Sequence, residues 1–322
     1  MGKVDSAAKE YFSDNKKFAD LCNAVLFEGE QIISADDLQE KDSTEVLAVF
    51  GVDPKHIHMQ KWRDLLKNAV IKTTGELCIV LFGLEAQSSV HYAMPVKNML
   101  YDAINYGDQV KQAATKHRDE KEYTDNDEFL SGFKVTDKLT PVITLTVYLG
   151  DKEWDAPRNL KEMFPDVDQR LLPFMSDYKA NVIVPAEIND FDKFKTDLKQ
   201  IFEVLSVSCD SKRMAKMLDS DPSFTKLSND TVRTINDFAG TKIPLNEKGS
   251  VVNMCKAWRD QYDSGIQEGR AEGRAEGRLE EIFDSVQSGD YGVERGAQKT
   301  NMSIPEFEKA MEAAGYKIPA HA

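Results

Sequence analysis

The residues most able to do chemistry together are a carboxylate and an amide at one strand end. Leu77-Cys78-Ile79-Val80-Leu81-Phe82 is short, apolar and rich in β-formers, so it predicts a buried strand, and Leu84-Glu85-Ala86-Gln87 closes it. Side chains alternate along a strand, which puts Glu85 and Gln87 on one face and Ala86 on the other. Such a pair can hold a divalent cation and a water side by side. Asp64 joins them if Thr74-Gly75 is a two-residue hairpin turn, because cross-strand partners then have numbers summing to 149, as 64 and 85 do. Directly opposed carboxylates repel each other unless a cation such as Mg²⁺ lies between them. A competing pattern crosses the same stretch. Trp62, Leu65, Leu66, Ala69 and Val70 also fit helical spacing, which would make Asp64 a solvated helix residue.

The elements needed to position these groups are legible on either side. Asp14 to Phe27 reads as an amphipathic helix with Phe18, Leu21, Cys22, Val25 and Leu26 on one stripe and Gly29 just past its end. The acidic run from Glu28 to Glu45 reads as a solvated loop. Met94-Pro95 opens a helix that should pack on the strand, with Pro95 suited to the first turn and Val96, Met99, Leu100, Ala103 and Ile104 on one face. Arg118 to Glu128 contains no aliphatic residue and predicts a surface loop. Pro141 to Gly150 is the clearest strand, and Asn181 to Val184 a shorter one. Beyond Phe191 the pattern turns helical, with Phe191, Phe194, Leu198, Ile201 and Phe202 on one stripe and further helices near Met214, Val232 and Met254. The fold class is α/β with an α-helical C-terminal region.

The chain has 322 residues, 41 Lys and Arg against 55 Asp and Glu, and a formal charge of -14. That acidity weighs against a nucleic-acid partner until it is resolved by segment. Residues 51–100 hold Lys55, Lys61, Arg63, Lys67, Lys72 and Lys97 against Asp53, Asp64, Glu76 and Glu85, so they are net positive, whereas 1–50 and 101–150 are net acidic. No run is long and apolar enough for a spanning helix, and the N-terminus lacks the apolar core of a signal peptide, so a cytoplasmic protein is expected. Cys22, Cys78, Cys209 and Cys255 are scattered and read as reduced, mostly buried thiols. His56-Ile57-His58 could ligate a metal on a strand, but His91 and His117 are remote in sequence. Phosphate-binding glycine loops and the nucleophile-elbow motif do not occur.

Several segments together resemble the recombination-promoting nuclease family, also called Rpn or PD-(D/E)XK family transposases. They are Phe18 to Phe27, Trp62-Arg63-Asp64, Phe82 to Ser88, His91 to Pro95, Tyr148 to Arg158, and the Glu-Gly-Arg repeat from Glu268 to Arg278. The similarity covers nearly the whole chain. It implies a Mg²⁺-dependent DNA endonuclease with a restriction-endonuclease-like core, an antiparallel hairpin in a mixed sheet flanked by helices. Asp64 and Glu85 would be the metal carboxylates, and Gln87 stands where the motif has its lysine. Glutamine cannot supply that positive charge, and Lys97 on the next helix is the candidate to replace it. Tyr101 and Asn105 could support the site from behind, and Asp20 could add the acid that the first helix supplies in the wider superfamily. The alternative is a nuclease-fold protein with impaired chemistry that binds or regulates through oligomerisation.

The resemblance places the nuclease-like core at 1–205, a helical extension at 206–265, and the repeat with a small helical tail at 266–322. As a helix the repeat stacks Glu268, Glu272 and Glu276 in one column and Arg270, Arg274 and Arg278 in another, and its like charges and glycines make an isolated helix marginal. Close approach along Gly269, Gly273 and Gly277 offers a route to a homo-oligomer through 262–280. Three short helices are expected after it, from Leu279, Tyr291 and Ser303, the last with a Ser303/Glu306 capping box.

Overall fold

A computed structural model describes residues 2–41, 44–46, 60–62, 64–73, 76–247 and 251–318. The chain divides into two compact units, 1–255 and 256–322.

The first unit is mixed α/β. It opens with helices α1 (Lys3–Ser13) and α2 (Asn15–Leu26), followed by strands β1 (Leu38–Glu40), β2 (Thr44–Val46), β3 (Gln60–Trp62), β4 (Leu65–Thr73) and β5 (Glu76–Gln87). Helices α3 (Met94–Glu120) and α4 (Asn126–Ser131) come next, then β6 (Val142–Tyr148) and β7 (Asn181–Ile183). Helices α5 (Leu198–Ser206), α6 (Ser211–Ser220) and α7 (Asn229–Ala239) complete it, with a two-residue pair of strands, β8 (Leu227–Ser228) and β9 (Val251–Val252). A five-stranded sheet in the order β1-β4-β5-β6-β7 is the centre of the unit. β1, β4 and β5 pair antiparallel, while β5, β6 and β7 run parallel, with α3 as the crossover between β5 and β6.

The hairpin register follows the expected arithmetic. Thr73 pairs with Glu76 and Leu65 with Leu84, so every partner sum is 149, although Thr74-Gly75 itself lies outside the described residues. The helical spacing over 62–70 is overturned in favour of β4. Its physical reason is that both faces are covered: Leu65, Lys67 and Ala69 are buried on one side and Leu66 on the other. Consecutive buried positions on a two-sided strand mimic a helical stripe.

Two charged stretches expected to be loops carry structure. Within 28–45, Leu38 is buried and β1 pairs with β4. Within 118–128, α3 runs on to Glu120 and ends at Lys121 with φ +53°, after which Asp125 caps α4 by accepting from the Glu128 amide at 2.9 Å. Glu128 in turn accepts from the Thr124 amide at 3.0 Å and hydroxyl at 2.7 Å. The polar residues there are capping groups, which composition alone does not separate from solvated ones. Among the described cysteines Cys22 and Cys255 are buried and Cys209 is exposed.

On one face of the sheet, α1 packs against β4 and β5. Lys67 is fully buried there, and its ammonium donates to Ser13 O and Asn15 Oδ1, each at 2.7 Å, and to Phe12 O at 3.3 Å. A buried cation thus satisfies the free carbonyls at the end of α1, where the helix dipole is negative. The other face carries α3, which runs antiparallel to β6: Asn98 donates to Thr146 Oγ1 at 2.9 Å, and one turn later Asp102 accepts from Thr144 Oγ1 at 2.5 Å.

The second unit is helical. Helix α8 (Met254–Gln287) starts at the end of the first unit and includes the whole repeat, so the segment from Leu279 continues it and does not start a new helix. Ile282, Phe283 and Val286 pack with α9 (Val293–Thr300) and α10 (Ile304–Ala313) through Val293, Ala297, Phe307 and Met311. That packing anchors the C-terminal end of α8, while the repeat residues 268–278 stay exposed. Ser303 and Glu306 form the expected capping box, with Ser303 Oγ 2.6 Å from Glu306 Oε2. No helix among the described residues is long and apolar enough to cross a membrane.

Candidate active site at the open end of the hairpin

The open end of the β4–β5 hairpin gathers most of the residues singled out from sequence. Paired strand residues end at Leu65 and Leu84, and the same register continued by one position would set Asp64 opposite Glu85. Asp64 Oδ2 accepts from the Ala86 amide at 2.8 Å, which ties the loosening end of β4 back to β5. Burial pushes the Asp64 carboxyl above the usual range, against the Ala86 amide and the Lys97 charge, which hold it down.

Glu85 is only 2% exposed, and it sits on the α3 face of the sheet, in register with Thr146 of β6. A buried carboxylate needs a compensating charge. The Lys97 ammonium, from the first turn of α3, supplies it at 2.9 Å from Glu85 Oε2. The Met94-Pro95 helix start matters for this reason: it fixes where α3 begins, and so which side chain of its first turn overlies β5. Gln87 is half-buried two residues along, and its side-chain amide donates to Ala86 O at 2.8 Å.

The other candidates fall elsewhere. Asp20 is buried, so it is not on a solvent face, and it accepts from the amides of Lys195 at 2.7 Å and Thr196 at 2.8 Å and from the Thr196 hydroxyl at 2.6 Å. Those contacts pin the approach to α5 and engage both carboxylate oxygens. Tyr101 is buried, and the Asn105 amide donates to Tyr101 O at 3.0 Å within α3. His117 bonds Asp137 through Nε2, at 2.9 Å to Oδ2, and His56-Ile57-His58 lies outside the described residues.

Two residues that sequence reasoning passed over act on the site from α1. Asp5 raises the Asp64 carboxyl further and Lys9 lowers it. The start of α1 also lies beside the end of β5, since a Cβ on Gly2 would be 3.6 Å from Ser88 Oγ. The available signal was the i, i+4 spacing of Asp5 and Lys9, in step with Ala8 and Phe12, which predicts a helix with one charged and one buried face.

The donor set suits a hard divalent cation. Mg²⁺ is commonly held by one or two carboxylates, with water and substrate phosphate completing its shell, and Asp64, bonded to the Ala86 amide, and Glu85, the residue before Ala86, are two such carboxylates. Among the described residues no three His, Cys, Asp or Glu side chains are gathered closely enough to hold a metal by themselves. No family model, curated protein or solved structure matches the chain.

Proposed function

We propose that the protein is a Mg²⁺-dependent DNA endonuclease with a restriction-endonuclease-like core, hydrolysing phosphodiester bonds at the open end of the β4–β5 hairpin. The observation that carries this reading is the convergence of two acids and one base, Asp64 just before β4, Glu85 on β5 and Lys97 on α3, at the open end of the hairpin in the middle of the sheet. Burying charge is costly, and such clustering marks functional sites more often than it serves stability. When bound between Asp64 and Glu85, Mg²⁺ would supply Lewis-acid polarisation of the scissile phosphate and a more acidic water.

The chain's own groups have distinct tasks. Asp64 is held in place by the Ala86 amide through Oδ2, which leaves Oδ1 directed by the same contact. Lys97 balances Glu85 before substrate arrives and places a positive charge where the phosphorane charge develops, in place of the motif lysine. The Gln87 side-chain carbonyl accepts a hydrogen bond from the attacking water, whose oxygen bonds to phosphorus as the P–O bond to the leaving group breaks. The released proton goes to solvent, and the leaving oxygen takes one up.

A second reading has an observation of its own. Gln87 turns its amide back onto Ala86 O, and no lysine accompanies the acids on β5, so the fold could bind or regulate without cutting. Incubating supercoiled plasmid with the protein and Mg²⁺ separates the two. Nicking that disappears in Asp64→Ala and in Glu85→Ala supports the endonuclease. Plasmid left intact by the wild type with Mg²⁺, Mn²⁺ and Co²⁺ supports the binding protein.

A further inference from the structure

The second unit holds a groove of 460 Å³ between the repeat helix and the end of α9. Arg274, Arg278 and Lys299 line it over a floor of Leu279, Ile282 and Met302, and no acidic side chain lines it. In a chain of charge -14 that segregation needs a cause, and the period of the repeat provides one. Each Arg follows a Glu by two residues, about 200° around a helix, so the Arg and Glu columns occupy nearly opposite faces. Arg274 and Arg278 make no ion pair among the described residues. Lys299 is oriented by Tyr291, whose hydroxyl accepts from its ammonium at 3.0 Å and whose ring centroid lies 4.4 Å from it.

We infer that this groove binds the phosphodiester backbone of nucleic acid and tethers it to the protein. The inference rests on the endonuclease reading for the identity of the polyanion. Two unpaired arginines one helical turn apart, with Lys299 beside them, match a row of phosphates, and the apolar floor suits the sugar and base faces between them. The Glu column of a second copy is the competing occupant. Its helix offers only Gly and Ala beside the acids, which would leave the floor of Leu279, Ile282 and Met302 unfilled.

Fluorescence anisotropy with a labelled 30-base-pair DNA duplex, in EDTA to prevent cutting, tests the assignment on the full chain. The double variant Arg274→Ala/Arg278→Ala should bind several-fold more weakly at 100 mM salt. Its slope of log K against log salt should be shallower by about 1.8, roughly 0.9 for each phosphate that is no longer neutralised. Lys309→Ala removes a charge from α10, outside the groove, and should leave that slope unchanged. Circular dichroism confirms that each variant folds. An unaltered affinity and slope in the double variant overturns the groove even if the wild type nicks plasmid, so the endonuclease would survive its loss. A weakened double variant alongside a wild type that cuts nothing keeps the groove and removes the endonuclease. A change of mass by light scattering in the double variant, with DNA binding intact, assigns the groove to a second copy and overturns the proposal.

Discussion

On the proposed endonuclease reading the chemistry of the hairpin end depends on Glu85 and Lys97, a buried carboxylate and its counter-charge. Lys97→Met preserves most of the packing and removes the charge. It should reduce cleavage about a hundredfold and destabilise the fold by roughly 1–3 kcal/mol, because it leaves the Glu85 carboxylate buried without its partner. Denaturant unfolding of the variant measures the penalty, and an unchanged stability would contradict the charge-compensation account. Glu203 on α5 is a half-buried acid with weaker help: its Oε2 lacks a hydrogen-bond partner, and burial, opposed by the Lys199 charge, pushes the carboxyl up to about 7. Its folded pKa is raised, so its contribution to stability is full below the ordinary glutamate range and is lost as pH rises through about 7. Glu203→Gln, neutral throughout, should therefore be more stable than wild type by about 1–2 kcal/mol at pH 8 and nearly equal to it at pH 4.5. The hairpin that carries the proposed site was legible from the 149 register, although helical spacing over 62–70 competed with it and the family resemblance chose between them. Asp5 and Lys9 were not, since only the packing of α1 on β5 brings them to Asp64.

Among the elements, α1 has the carbonyls at its end satisfied by one side chain from the sheet, Lys67. Lys67→Met would fill the same space but strand the carbonyls of Phe12 and Ser13 and the Asn15 side-chain oxygen, at a cost of about 2–4 kcal/mol. Thermal unfolding should show a fall of roughly 5–15 °C, and a loss under about 2 °C would mean that water replaces the ammonium. Because α1 also brings Asp5 and Lys9 toward Asp64, the same variant should slow cleavage without touching the hairpin. The strands β5, β6 and β7 and the helices α2 and α3 were legible from apolar runs, caps and Pro95. The element β4 was ambiguous because a strand buried on both faces carries no alternation. The structured charge runs at 28–45 and 118–128 were missed for a related reason: capping and edge pairing use the same polar residues as solvated loops.

For the whole molecule, the net charge of -14 conceals a segregated distribution. The positive stretch at 51–100 contains the hairpin that carries Asp64 and Glu85, and the second unit separates its Arg column from its Glu column around one helix. On the proposed endonuclease reading, DNA is held by local cations against a repulsive body, so cleavage should fall steeply as salt rises from about 50 to 200 mM. The two-acid end of the β4–β5 hairpin remains the centre of the account. Its most direct test is the single-turnover rate of duplex cleavage in Mg²⁺ by wild type and by Asp64→Asn, a substitution that keeps the side chain's shape and its acceptor for the Ala86 amide. Loss of at least a hundredfold in a folded variant is the predicted result, and a rate within threefold of wild type would contradict it.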